Sequence, residues 1–163
     1  MQKPAPPDVR ERLHRVLGDS LASAKMLRSL LVDERTALEQ QDESTLASNA
    51  AQKDQVVRTL ASLEKSRGDI GRDAGFGAAL QNMDELTAWC DQNETLAGRW
   101  QEFRALIQQC NTLNSTNGAI ITARRQQVMA GLALLRGHEA AADTYGVPGA
   151  RLKSMGGRAL AEA

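Results

Sequence analysis

Aromatic residues are almost absent from this chain. Phe76, Trp89, Trp100, Phe103 and Tyr145 are the only ones among 163 residues. β-Branched residues are also sparse. Sheets draw on both classes, so the composition argues against a β-rich fold. Proline is missing from every position between Pro7 and Pro148, which removes the strongest interrupter of helices from most of the chain. Charge of either sign is not in excess, because 20 basic and 20 acidic side chains cancel. Non-specific affinity for nucleic acid rests on many Lys and Arg contacts to phosphate, so no nucleic-acid partner is expected beyond a local patch. No apolar run reaches the roughly 18 to 20 residues that span a bilayer, and Met1–Asp8 contains no hydrophobic signal core. The expectation is a cytoplasmic protein without membrane insertion.

Reactive constellations are missing as well. Cys90 and Cys110 stand alone, without a CxxC motif, and the two histidines lie at positions 14 and 138. The cysteines read as reduced thiols in a core. No HExxH or paired-histidine spacing suggests a zinc site. The glycines from Gly68 to Gly77 lack the Gly-Lys-Ser/Thr ending of a phosphate loop and read as a linker. Carboxylates recur at Glu34, Glu39, Asp42, Glu64, Asp84 and Glu85, but di-iron bundles need inward-facing Glu-x-x-His pairs, and none occurs. The chain is therefore expected to be no enzyme, to bind no metal and to need no cofactor.

Ala, Leu, Gln, Glu and Arg dominate instead, and all favour helices. Apolar residues recur at three- and four-residue steps along Leu13, Val16, Leu17, Leu21, Ala24, Leu27, Leu31 and Leu38, with Asp8 as a candidate N-cap. This spacing predicts a helix over 8–40. Asp42 marks a break and caps a second helix over 43–70, carrying Leu46, Val56, Val57, Leu60, Leu63 and Ile70. The short connection makes the two antiparallel neighbours. A third helix is expected over 78–91, with Leu80, Met83, Leu86 and Trp89 inward. A fourth is expected over 93–136, its stripe running from Leu96 through Trp100, Phe103, Leu106, Cys110 and Leu113 to Leu132 and Leu135. The fold class is all-α, an antiparallel bundle of long helices over 1–137. From His138 the chain holds Gly146, Pro148, Gly149, Gly156 and Gly157 with few apolar residues, so 138–163 is expected to be a weakly ordered tail.

Three polar or apolar features stand out on this frame. Glu34 falls between Leu31 and Leu38 at core-like spacing. It is either a flank position or one half of a register-setting pair with Lys53 or Arg67 on the second helix, since a charge near a core needs a partner. Asn111, Asn114, Asn117 and Gly118 are poor mid-helix residues inside a strong helix. They imply either a kink with a close helix crossing at Gly118 or a polar layer that fixes helix register. Beyond residue 119, Ile120, Ile121, Val128, Met129, Leu132 and Leu135 form either core with a frayed end or an apolar face kept for a partner helix, with the tail folding on binding.

The order of these pieces resembles a known family. Leu30-Leu-Val-Asp-Glu34-Arg-Thr-Ala-Leu38, followed by Asp42, Leu46, Lys53, Leu60 and Arg67, is similar to the first half of FlgN-type flagellar export chaperones. Cys110-Asn-Thr-Leu-Asn114-Ser-Thr-Asn117-Gly118-Ala-Ile-Ile121 resembles that family's Asn-x-x-Asn-Gly helix. Leu132-Ala-Leu-Leu135-x-Gly137 and Tyr145-Gly-x-x-Gly149 resemble its C-terminal end. The resemblance implies a type III secretion chaperone that binds hook-filament junction proteins. It would keep them unassembled and deliver them to export-gate or export ATPase components. It implies substrate contact through about Ile120 to Leu135 and an export-gate contact at Tyr145. A second reading stays open: a self-assembling structural bundle, such as a homodimer that covers its own C-terminal apolar face. A helical enzyme is the weakest reading, for want of any reactive constellation.

Overall fold

The protein is described here from a computed structural model covering residues 5–79, 82–91 and 95–145, with side chains as far as 136. It is all-α, and no strand occurs among the described residues. The four helices are α1 (Pro7–Gln40), α2 (Glu43–Asp73), α3 (Met83–Cys90) and α4 (Thr95–Tyr145). The chain divides into two compact units, Met1–Thr122 and Ala123–Ala163.

Within the first unit, side-chain pairs fix the direction of each helix. Arg12 near the start of α1 pairs with Asp73 at the end of α2 at 3.3 Å, and Asn49 near the start of α2 donates to the Leu30 carbonyl. The two helices therefore run antiparallel. Along α4 the sense is reversed: Lys25 pairs with Glu102 at 2.8 Å, and Asn117 donates to the Leu31 carbonyl, so α4 runs parallel to α1. The short α3 lies between the end of α2 and the start of α4 in the chain.

The turn between α1 and α2 follows from two residues. Gln41 takes a left-handed conformation, φ 59°, and the Asp42 amide reaches back to the Ala37 carbonyl at 3.0 Å. That is the Schellman closure of a helix end. Asp42 then caps α2, its carboxylate accepting from the Thr45 amide at 3.1 Å and the Thr45 hydroxyl at 2.6 Å. At the other end of α2, Gly68 and Gly71 lie inside the helix, and the turn comes later, at Gly75 (φ 82°) and Gly77 (φ 76°). A Cβ on Gly71 would sit far inside contact distance of the Gly77 carbonyl oxygen, which is why the helix needs glycine there.

The main core gathers Val9, Leu13 and Leu17 of α1, Ile70 of α2, Met83, Leu86 and Cys90 of α3, and Leu96 and Trp100 of α4. Phe76 and Trp89 pack on it with ring centroids 5.3 Å apart. A second cluster joins Leu21 and Ala24 to Leu106, with Phe103 and Ile107 against it. Leu13 and Leu17 are wholly excluded from water. Burial of one such side chain is worth about 1.5–3 kcal/mol.

Several helix ends differ from the sequence expectation. Helix α1 starts at Pro7, and Asp8 lies in its first turn rather than at the cap. Proline suits the first helical position, while the preceding Pro6 is held extended. Helix α3 begins at Met83, not 78; Asn82 precedes it without a side-chain cap hydrogen bond and donates its side-chain amide to the Phe76 carbonyl instead. Leu80 lies outside the described residues. Asp91 ends α3 and caps α4 through the amides of Thr95, Leu96 and Ala97 at 3.0–3.1 Å. Helix α4 does not stop at Gly137 but runs on to Tyr145. One glycine costs a helix only about 1 kcal/mol against alanine, and Glu139-Ala-Ala-Ala142 favours continuation. The rest of the expected tail, 146–163, lies outside the described residues.

Candidate functional site

In the first unit, a buried polar tie holds three helices. Glu34 of α1 is 8% exposed. One of its carboxylate oxygens accepts from the Lys53 ammonium of α2 at 2.5 Å, and the other accepts from the Asn117 amide of α4 at 2.8 Å. Asn117 is 1% exposed, and its amide also donates to the Leu31 carbonyl at 2.9 Å. Asn49 of α2 does the same to the neighbouring Leu30 carbonyl at 2.9 Å. Two asparagines from two helices thus engage adjacent carbonyls on α1. A carboxylate shared by an ammonium and an amide satisfies the need of a buried charge for partners.

The remaining polar candidates fall elsewhere. Asn111 and Asn114 are exposed. No close helix crossing occurs at Gly118, since a Cβ there would meet nothing within 4 Å. Arg67 is buried but does not join Glu34. It pairs with Glu64 at 2.7 Å and lies over the Trp100 ring at 5.8 Å. The Trp100 indole in turn donates to Asp84 at 2.9 Å. Asn49 and the Arg67–Trp100 contact were not singled out in the sequence. An asparagine amid alanines and serines in the second turn of a helix was the available signal for the first.

A groove of about 850 Å³ opens between α2 and α4, lined by Val57, Leu60, Phe103 and Ile107 among others. The two thiols, Cys90 and Cys110, are both buried. Burial pushes both Cys90 and Cys110 up, outweighing the nearby Arg10 and Arg28, which pull the other way. Nucleophilic thiols need the opposite shift. No cluster of metal-ligating side chains occurs among the described residues. No described helix is long and apolar enough to cross a membrane.

The apolar residues late in α4 are placed differently from those of the core. Ile120 is half-buried and Ile121 exposed, at the end of the first unit. In the second unit, Val128, Met129, Leu132, Leu134 and Leu135 are each between 44% and 69% exposed. Val128, Leu132 and Leu135 follow the spacing i, i+4, i+7 and so share one helix face. A monomer rarely leaves such a run of large aliphatic side chains to water. The Tyr145 backbone is helical, and its side chain lies outside the described residues.

The comparison with protein families decides what kind of molecule this is. The model of the FlgN protein family matches residues 1–153, nearly the whole chain. The chain belongs to the FlgN family. FlgN proteins are flagellar export chaperones, so its role is that of a chaperone in flagellum assembly, a role that holds export substrates. No curated protein and no solved structure gives a match.

Proposed function

We propose that this FlgN-family chaperone works in the cytoplasm and binds hook-filament junction proteins through the late part of α4. The contact residues are Ile120, Ile121, Val128, Met129, Leu132 and Leu135. The observation that carries this reading is the exposure of the aliphatic side chains from Val128 to Leu135. Flagellar subunits that polymerise by pairing terminal helices would find there a surface that completes a helical bundle. Occupying the same apolar stripe on the subunit would keep it from assembling early. The end of α4 from His138 to Tyr145 continues the same helix and extends the proposed contact. Tyr145 is the residue proposed to meet the export gate. The Glu34–Lys53–Asn117 tie serves a different end: it sets the register of α1, α2 and α4.

Co-purification tests the reading. The full chain and a chain ending at Gly118 are each expressed with a hook-filament junction subunit. The full chain is expected to retain the subunit and the shortened chain to lose it. Equal retention by the two would remove the proposed site. A stable homo-oligomer of the full chain that excludes the subunit would favour the self-assembling bundle instead.

A further inference from the structure

The aliphatic face of the second unit carries a charge pattern that the chain as a whole does not. Acidic and basic side chains balance over 163 residues. From Ala123 to Arg136 the balance fails: Arg124, Arg125 and Arg136 are present, and no Asp or Glu is. Arg125 and Arg136 are exposed and Arg124 is half-buried, and no ion pair among the described residues involves any of the three.

Their positions around the helix say what they are for. At about 100° per residue, Arg124 falls about 40° to one side of Val128, and Arg125 and Arg136 fall about 60° and 80° to the other. The arginines therefore flank the stripe of Val128, Leu132 and Leu135. The opposite side of the helix shows Ala123, Gln126, Ala130 and Ala133, which carry no charge. A helix that lies on a membrane adds aromatic anchors to its apolar face. Here no aromatic residue occurs between Phe103 and Tyr145. Flanking charges of this kind are what paired helices use to choose partners.

We infer that this face is built for an amphipathic helix whose apolar stripe is edged by carboxylates. The inference rests on the docking role proposed above and names the chemistry of its occupant. Arg124, Arg125 and Arg136 select the partner and its orientation, while Val128, Leu132 and Leu135 supply the contact area.

Two synthetic peptides test it against the full-length chain. Both carry one leucine-rich helical stripe; glutamates flank it in one and lysines in the other. Fluorescence anisotropy is read at 50 and 300 mM NaCl. The acidic peptide is expected to bind at least about tenfold more tightly than the basic one at low salt, and the gap is expected to narrow at high salt. The variant R124E/R125E/R136E, checked for helicity by circular dichroism, is expected to reverse the preference. Equal binding, or tighter binding of the basic peptide, overturns the inference. So does binding of neither peptide by a chain that still holds a junction subunit. Tighter binding to phosphatidylserine vesicles than to the acidic peptide overturns it in favour of a lipid surface. Failure of the docking role itself looks different: Val128→Asp with Leu132→Asp would then leave junction-subunit binding intact.

Discussion

From Leu96 to Asn117, α4 sinks a side chain into its neighbours at nearly every turn: Leu96, Trp100, Leu106, Cys110 and Asn117 are all buried. From Gly118 to Arg136 it buries none. Both stretches step their apolar residues at three and four, so both are amphipathic helix. What differs is the material opposite. The first stretch meets Leu17, Leu21, Ala24 and the Glu34 carboxylate within its own unit. The second unit offers its aliphatic face nothing of that kind among the described residues. Amphipathicity fixes that a helix has a face to cover; it does not say whether the chain or a partner covers it.

The comparison breaks most visibly if the exposed stretch proves dispensable. Val128→Asp with Leu132→Asp places two carboxylates on the face without opening a cavity. Affinity for a junction subunit is expected to fall at least about a hundredfold, as when central apolar anchors of an interface are lost. The melting temperature should stay within about 2 °C, because exposed positions contribute little to folding. Calorimetric titration and thermal melting read the two quantities. A folded double variant that binds as the wild type does would place the holding surface elsewhere.

Changes in the first unit should show the reverse pattern, with stability lost and the exposed face untouched. Gly71→Ala drives a methyl group into the Gly77 carbonyl. Backbone on both sides leaves no cheap escape, so a loss of about 2–4 kcal/mol is expected, read as a lowered urea midpoint. A loss below about 0.5 kcal/mol would mean that the 74–79 turn yields freely.

The polar tie gives the next effect. Glu34→Ala strands the Lys53 ammonium and one N–H of the Asn117 amide, whose other N–H keeps the Leu31 carbonyl, in a largely buried place. The expected cost is about 2–3 kcal/mol, most of it from unpaired polar groups rather than from the lost attraction. Removing Lys53 as well should cost less than the two single losses added together. A strictly additive double-mutant cycle would show that the two groups do not act as a pair.

Much of this was legible in the leucine spacing. The helices, the break at Asp42 and the absence of sheet follow from local rules that need no tertiary information. The misplaced ends have local causes as well. Pro7 took the first helical position and left Asp8 inside the first turn, and the side chain of Asn82 is turned back to the Phe76 carbonyl just before α3. The polar partners were harder, because they depend on which residues meet across helices. Glu34 could have faced Lys53 or Arg67 by sequence distance alone. Arg67 instead lies at the level of Trp100, well along α2 toward α3. Asn117 and Asn114 were indistinguishable as poor helix formers, yet a three-residue step puts one in the core and the other in water. Family membership was legible through the order of motifs, since a family model sums many weak positions along the chain.

The smallest effect separates the two regions by acid. Asp42 is exposed, and its hydrogen bonds from the Thr45 hydroxyl, the Thr45 amide and the Ser44 hydroxyl lower its carboxyl from 3.8 to about 2. Those bonds favour the charged form in the folded state. Their contribution is therefore complete above the ordinary value of 3.8 and is lost as pH falls through about 2. The wild type should exceed Asp42→Ala in urea midpoint by a constant margin from pH 7 to 5. That margin should close between about pH 4 and 2, following those two values. A margin still open at pH 2 would mean that the cap works equally well with a neutral carboxyl. The stretch from Ala123 to Arg136 contains no Asp or Glu to titrate over that range. Acid therefore weakens the α1–α2 turn through a group that the stretch from Ala123 to Arg136 lacks.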